Sequence, residues 1–397
     1  MLFNIRARDI EFTPLVTAYA LVGKEKTILF CNKSRVSETA IKAFLKINIH
    51  IQEYDQITEH LSGISEDKTI LTDASSLNYA CFHAFSGHFK YQNSVAKVLK
   101  AIKNTTEING AKACMIKDGV ALTKFFIWLE KKLKTTSISE FEIGKKLASF
   151  RQQQAYYTGE SFAAIVGYKG NGAIIHYTAP EEGSAMVRND GILLIDSGGQ
   201  YQNGTTDITR TIWLGGTPSS EIITAYTNVL KGYIALEELQ FPKGTTGAQI
   251  DAFARMHLWK NGLNYPHGTG HGIGSFGMVH EPEQGFTTSA TTARGTAPHL
   301  AQQLTTIEPG CYVAESFGIR TENVVLSKTV QQTKFGEFLG FEPITLCYID
   351  TQLLDMEALS TTEIQWLNNY HNKVFEELAP QLNKEEREWL AEKCKGI

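Results

Sequence analysis

Five side chains between residues 196 and 322 could hold cations between them. Asp196 ends the apolar run Ile192–Ile195, and Asp207 opens a Thr/Ile/Trp-rich run beyond a polar, glycine-rich loop; the stretch reads ILLIDSGGQYQNGTTDITRTIWLG. Two β-prone runs joined by turn residues predict two antiparallel strands, with one aspartate at each facing strand end. Carboxylates at the mouth of an apolar hairpin repel unless a cation or a proton stands between them. Surface aspartates beside loops are common, so the hairpin does not decide for a metal alone.

Downstream, YPHGTGHGIGSFGMVHEPEQ places His267, His271 and His280 among glycines, three of the chain's eleven histidines in fourteen positions. The glycines between His267 and His271 argue against a helix showing both on one face, so different roles are expected. Glycines 268, 270, 272 and 274 allow close approach to a ligand or positive φ. TIEPGCYVAESFGIRTENVVL then adds Glu308 and Glu322, each in or beside a β-prone run, repeating the first hairpin with glutamate for aspartate. Asp196, Asp207, His271, Glu308 and Glu322 together carry too much negative charge for one divalent ion, but suit two ions sharing bridging carboxylates. Mostly oxygen donors with one imidazole favour Mn²⁺ or a similar borderline-hard ion over a thiolate-type zinc site. Two ions about 4 Å apart can hold a bridging hydroxide and polarise a carbonyl, as metal-assisted hydrolysis requires.

These residues need a scaffold. Residues 1–92 alternate strand-like runs (TAYALV, KTILFCN, IHIQEY) with amphipathic ones (SETAIKAFLKI, DQITEHLSGI), which predicts a small α/β domain. Its histidines show no metal spacing. NSVAKVLKAIKNTTE leads into a second domain, residues 93–397. Ile108, Ala111, Met115, Leu122, Phe125 and Leu129 define one face of a long helix, and Ser139 with Glu142 forms a capping box for the next. Strands are expected at FAAIVGYKG, GAIIHYTA, the aspartate hairpin, LTTIEPGCYV, GIRTENVVL and GFEPITLCYI, with helices at about 219–239 and 247–260 and two more after Ser360 and Asn383. Segregated blocks of strands and helices read as α+β.

Composition narrows the function classes. A net charge of −4 with no basic block makes nucleic acid and anionic membrane poor choices of partner. No stretch reaches the roughly 18 apolar residues of a membrane span, and the N-terminus lacks a signal-peptide core. The six cysteines are scattered without CxxC spacing, as reduced thiols of a cytoplasmic protein would be.

Through DSGGQY, TTDITRT, HGTGHGIGSF, VHE, EPG and GIRTEN, in order, the sequence resembles aminopeptidase P (Xaa-Pro aminopeptidase) in metallopeptidase family M24, which also holds methionine aminopeptidase and prolidase. FPKGTTGAQID, the tail and the front match the long, multi-domain branch, so the resemblance covers nearly the whole chain. It implies a pita-bread catalytic domain of two pseudo-twofold halves, with a helical extension from about 340 to 397, preceded by a small creatinase-type α/β domain. It implies two Mn²⁺, with zinc or cobalt as alternatives: Asp196 on one, Asp207 and Glu322 bridging, His271 and Glu308 completing the other. His267 and His280 match substrate-binding and transition-state histidines. His176 matches a third histidine beside the active site, and the β-prone run AIIHY places it on the sheet. Arg320 matches a family arginine near the metals, as a charge partner orienting a carboxylate or as a substrate contact.

The implied reaction removes the first residue of an Xaa-Pro-Yaa peptide. That bond is a tertiary amide without an N–H, which handicaps peptidases that bind the backbone through that group. The bridging hydroxide would attack the first carbonyl, His267 would support the oxyanion, and Glu308 would carry a proton to the proline nitrogen. A homodimer is implied by the resemblance only.

The sequence departs from the family pattern in places. It begins where the second domain of the long branch begins, which puts substrate length preference in doubt. It has Glu281-Pro282-Glu283 for Glu-Gly-Pro, Ile307 for asparagine, and Cys311 for tyrosine. None removes a ligand. The rival readings are prolidase, which cleaves only Xaa-Pro dipeptides, and a metal-free peptide-binding module.

Overall fold

The computed structural model describes residues 2–397, which divide into two compact units, Met1–Lys100 and Ala101–Ile397. In the first, Tyr19–Val22, Thr27–Phe30 and Ile49–Gln52 form one sheet, and Thr69–Thr72 pairs with His88–Tyr91. The two parallel pairings are spanned by the helices Glu38–Lys46 and Tyr79–Ala84, as parallel neighbours require. Ile28, Phe30, Ile57, Leu61, Cys81 and Phe85 give this unit its own core. Its His60 packs on Phe30 and its His83 on Tyr79 and Phe82.

The second unit opens with α1 (Thr105–Leu133), capped by Asn104 and Glu107 and burying Ala111, Met115, Leu122, Phe125 and Leu129 along one side. The Ser139–Glu142 capping box starts α2 (Glu140–Arg151). β1 (Ile165–Tyr168), β2 (Gly191–Ser197) and β3 (Ile208–Gly215) form a sheet with β2 central. Helices α3 (Ser220–Glu237) and α4 (Gly247–Trp259) pack on each other. The larger sheet contains β4 (Gly270–Gly272), β5 (Glu281–Phe286) and β6 (Leu304–Ile307). After the hairpin of β7 (Gly310–Val313) and β8 (Phe317–Arg320), β9 (Asn323–Thr333) and β10 (Gly336–Pro343) extend it in the order β10-β9-β6-β4-β5, and the short strand Phe241–Pro242 adds a sixth beside β10. Helices α5 (Thr361–Leu378) and α6 (Lys384–Lys393) close the chain. Every strand pairing in this unit is antiparallel, and the architecture is α+β.

Two strands expected from the sequence are corrected. GAIIHYTA forms no strand: Lys169–Ala173 is a 3₁₀ turn and Tyr177 N–H closes back on Ile174 O, so His176 sits in a turn and not on the sheet. In GFEPITLCYI the ladder stops at Pro343. Beyond it the carbonyls of Thr345, Cys347 and Tyr348 accept from Arg210 and Tyr370 side chains, and a backbone so satisfied needs no neighbouring strand. All six cysteines are buried and unpaired, and no described helix is long and apolar enough to cross a membrane.

Candidate active site

The two sheets deliver their carboxylates by register. Asp196 in β2 lies opposite Thr209 in β3. Side chains two apart along a strand share a face, so Asp207 projects with Thr209 toward Asp196. In the larger sheet Ile307 pairs with Asn323, which leaves Glu308 and Glu322 side by side just past the ladder. His271 comes from β4, whose Gly272 pairs with Thr305. Of the two uses expected for the glycines around it, positive φ is not found: none of 268, 270, 272 or 274 has it. A Cβ on Gly270 would stand 1.9 Å from Thr306 O, so glycine there lets strands approach.

Every candidate residue meets in one cavity of about 390 Å³: His176, Asp196, Asp207, His267, His271, His280, Glu308, Arg320 and Glu322 line it, with Arg294 and Phe162. Asp207, His271 and Glu322 each present a donor atom within 4.8 Å of the others.

The donor set fits divalent cations on two grounds. His271 Nδ1 bonds Gly272 O at 3.0 Å, so the neutral ring turns its Nε2 lone pair inward. That lone pair faces Asp207 Oδ2 at 3.4 Å and Glu308 Oε1 at 3.5 Å, acceptors facing acceptors unless something positive lies between. Asp196 Oδ1 is likewise buried without a hydrogen-bond partner. Burial, then the charge of Asp196, holds the Asp207 carboxyl well above the usual carboxylate range, and burial with Asp207 and Glu308 does so for Glu322. Burial pushes Glu308 to about 7, with His271 opposing and Asp207 adding. These directions record the cost of gathering four carboxylates around Arg320.

Arg320 ties the pieces together. Its Nη2 donates to Asp196 Oδ2 at 2.6 Å, its Nε to Thr209 Oγ1 at 3.0 Å, and its Nη1 to Tyr312 OH at 2.7 Å. Thr209 Oγ1 in turn donates to Glu322 Oε2 at 2.7 Å. Tyr312 OH also lies 2.8 Å from His267 Nε2, and His267 Nδ1 lies 2.8 Å from Gly268 O. Burial drives His267 down to about 4, so it is neutral, with both nitrogens engaged. His280 stacks edge-on against His271 with ring centroids 4.2 Å apart.

Several supporting residues were not singled out from the sequence. Thr209 could have been, since it lies two positions past Asp207 on a strand. Arg255 on α4 donates to the carbonyls of Tyr265 and His267, and Asp251 holds both Arg255 and Thr269, fixing the histidine loop. Arg210 donates to Glu322 O from behind the sheet. No local pattern marks Tyr312, Arg210 or Arg255.

Comparison with known proteins agrees with this geometry. The model of metallopeptidase family M24 matches residues 109–329, its C-terminal region residues 337–397, and the creatinase/prolidase N-terminal domain residues 1–107. A probable Xaa-Pro aminopeptidase P of Laccaria bicolor is 40% identical over 100% of this chain and 63% of its own length. Xaa-Pro aminopeptidase 1 of Dictyostelium discoideum is 39% identical over 100% of this chain and 64% of its own. The chain thus spans under two thirds of either relative. Among solved structures, X-prolyl aminopeptidase from Caenorhabditis elegans, described as a cytosolic enzyme with a di-nuclear active site, superposes with a TM-score of 0.94 at 33% identity, covering 100% of this chain and 66% of that one. Prolidase from Pyrococcus furiosus shares the fold at a TM-score of 0.62 and 22% identity, covering 83% of this chain and 89% of that one. By motif order, pita-bread architecture and a family model that covers more than half its length, the chain belongs to metallopeptidase family M24.

Proposed function

We propose that this chain is a metal-dependent aminopeptidase that removes the first residue from peptides with proline in second place. The observation that carries the reading is the inward lone pair of His271, which faces Asp207 and Glu308 in the cavity that Asp196 and Glu322 complete. Relatives named Xaa-Pro aminopeptidase support the substrate class. The peptide is the partner; nucleic acid and membrane play no part in the reading.

In this reading Asp196 would hold one divalent ion, Asp207 and Glu322 would serve both, and His271 and Glu308 would complete the second. Mn²⁺ is the first choice by donor type, with zinc or cobalt as alternatives. Such ions would supply ionised water at neutral pH and would polarise the scissile carbonyl. The chain's own residues do the rest. Glu308 takes the proton of the attacking water and passes it to the proline nitrogen, which must be protonated to leave. His267 was the sequence-based choice for the oxyanion, but both its nitrogens are engaged. His280, which makes no hydrogen bond among the described residues, is the donor free to turn to it. Arg320 acts as the charge partner of Asp196. The cytoplasm is the compartment we favour, after the cytosolic neighbour, and a homodimer is the assembly we favour by the family resemblance alone.

The test is release of the first residue from an Xaa-Pro-Yaa tripeptide, with Mn²⁺ and with chelator. Metal-dependent release, with little action on an Xaa-Pro dipeptide, supports the reading against prolidase. A protein that folds, binds no metal and cleaves neither substrate overturns it in favour of a peptide-binding module.

A further inference from the structure

Glu140 opens α2, away from the carboxylate cluster, and is 0% exposed. A carboxylate taken out of water needs compensation, and this one has no ion pair among the described residues. It is compensated by one loop. Its Oε1 accepts from the Tyr168 backbone N–H at 2.7 Å and from Asn171 Nδ2 at 3.0 Å. Its Oε2 accepts from Tyr177 OH at 2.8 Å and from Asn171 Nδ2 at 3.1 Å. The first turn of a helix also favours negative charge. One buried side chain therefore holds the entry, the middle and the exit of residues 168–177.

The other side of that loop is pressed against the catalytic sheet. A Cβ on Gly318 would stand 1.7 Å from Gly172 O, and Gly318 lies two residues before Arg320 in β8. The loop is thus pinned between the Glu140 carboxylate and the strand that ends in Arg320. At its exit Ile175, His176 and Thr178 line the active-site cavity. The His176 ring makes no hydrogen bond of its own among the described residues and is exposed to the cleft. Its direction is set by the backbone that carries it, and that backbone is set by the clasp.

We propose that Glu140 is a positioning residue for the His176 wall of the cleft, acting through its fourfold grip on Tyr168, Asn171 and Tyr177. The inference rests on the proposed aminopeptidase reading, in which the cavity that His176 lines takes the peptide. Glu140→Gln removes the charge and replaces one acceptor oxygen by an NH₂ group facing Tyr177 OH and the Asn171 NH₂, so it weakens the clasp without changing side-chain size.

The experiment is a double-mutant cycle on the full chain with Mn²⁺, using Glu140→Gln, His176→Ala and the pair. Thermal unfolding and Mn²⁺ stoichiometry are measured alongside. Misplacing a contact by an ångström costs on the order of 10²-fold, so a tenfold to hundredfold loss in kcat/KM is expected for Glu140→Gln, with Mn²⁺ stoichiometry unchanged. Residues that act as one unit are not additive, so in the His176→Ala background that loss should shrink to about twofold or less. Losses that multiply in full overturn the proposal and leave Glu140 a stabilising residue only. If Glu140→Gln does not fold, Tyr177→Phe, which removes one of the grips, enters the same cycle. A parent chain that binds Mn²⁺ but cleaves nothing refutes the function and not the clasp. The clasp is then read from the His176 imidazole ¹H–¹³C signal, assigned by its loss in His176→Ala. The signal should shift in Glu140→Gln and Tyr177→Phe, and an unmoved signal overturns the proposal.

Discussion

Arg320 Nη2 stands 2.6 Å from Asp196 Oδ2, while the other oxygen of the same carboxylate, Oδ1, is buried with no hydrogen-bond partner. One oxygen is fixed by the fold and the other is offered to a cation. Removing the arginine leaves a buried charge unpaired and frees the carboxylate to turn. Arg320→Met is expected to destabilise the metal-free protein by about 3 kcal/mol. It should also weaken Mn²⁺ binding at least tenfold, the usual cost of losing a residue that orients a ligand. Denaturant unfolding in chelator and calorimetric titration check the two numbers; wild-type affinity in the variant would count against the orienting role.

Glu308 bonds Thr306 Oγ1 at 3.3 Å and sits beside His271, with its carboxyl pushed to about 7 by burial. As the proton carrier it should be needed for turnover more than for metal retention. Glu308→Gln is expected to lower kcat by about 10² to 10⁴ while Mn²⁺ stoichiometry stays at two per chain. A variant holding both ions at full activity would sink the shuttle.

Arg210 links the C-terminal region to the cluster without touching a carboxylate. It donates to the carbonyls of Thr209, Glu322, Cys347 and Tyr348, to Asn323 Oδ1 and to Tyr370 OH. Lysine keeps the charge but lacks the planar fork. Arg210→Lys should cost about 2–4 kcal/mol in urea unfolding, from several buried acceptors left unmet. Mn²⁺ affinity should fall with it, because the Glu322 backbone loses its anchor. Loss of stability with metal affinity untouched would show that the C-terminal region merely braces the fold.

His371 supplies a pH dependence remote from the metals. It is 0% exposed, and its Nε2 accepts from the Ile349 N–H at 3.1 Å. Protonation would destroy that acceptor, and burial with the Arg210 charge drives the group down to about 4. The unfolded chain takes the proton near 6.5, so the stabilisation is complete above that pH and lost as pH falls toward 4. Its size is roughly 3 kcal/mol. His371→Gln, which retains an acceptor, should flatten this limb of the stability–pH curve in chelated protein; an unchanged curve argues for another titrating group.

Much of the framework was legible because short-range rules governed it. The capping boxes at Ser139 and Ser360, the buried stripe of α1 and the paired runs around Asp196 and Asp207 each follow from local spacing. The run AIIHY was misread for an equally physical reason. Its β propensity lost to a single distant carboxylate, Glu140, that satisfies Tyr168, Asn171 and Tyr177 in a turn.

The sequence by itself determined which side chains could act: the aspartates, glutamates and histidines, their order, and the family whose motifs they spell. Residue type and spacing carry that information along the chain. Only the tertiary structure decided how they act together. The inward lone pair of His271, the unpaired oxygen of Asp196, the Arg320–Tyr312–His267 chain and the two clamps at Arg210 and Glu140 all join residues far apart in sequence. Such contacts exist because antiparallel register and close backbone packing bring strand ends to one place, and neither is written in any local stretch of residues.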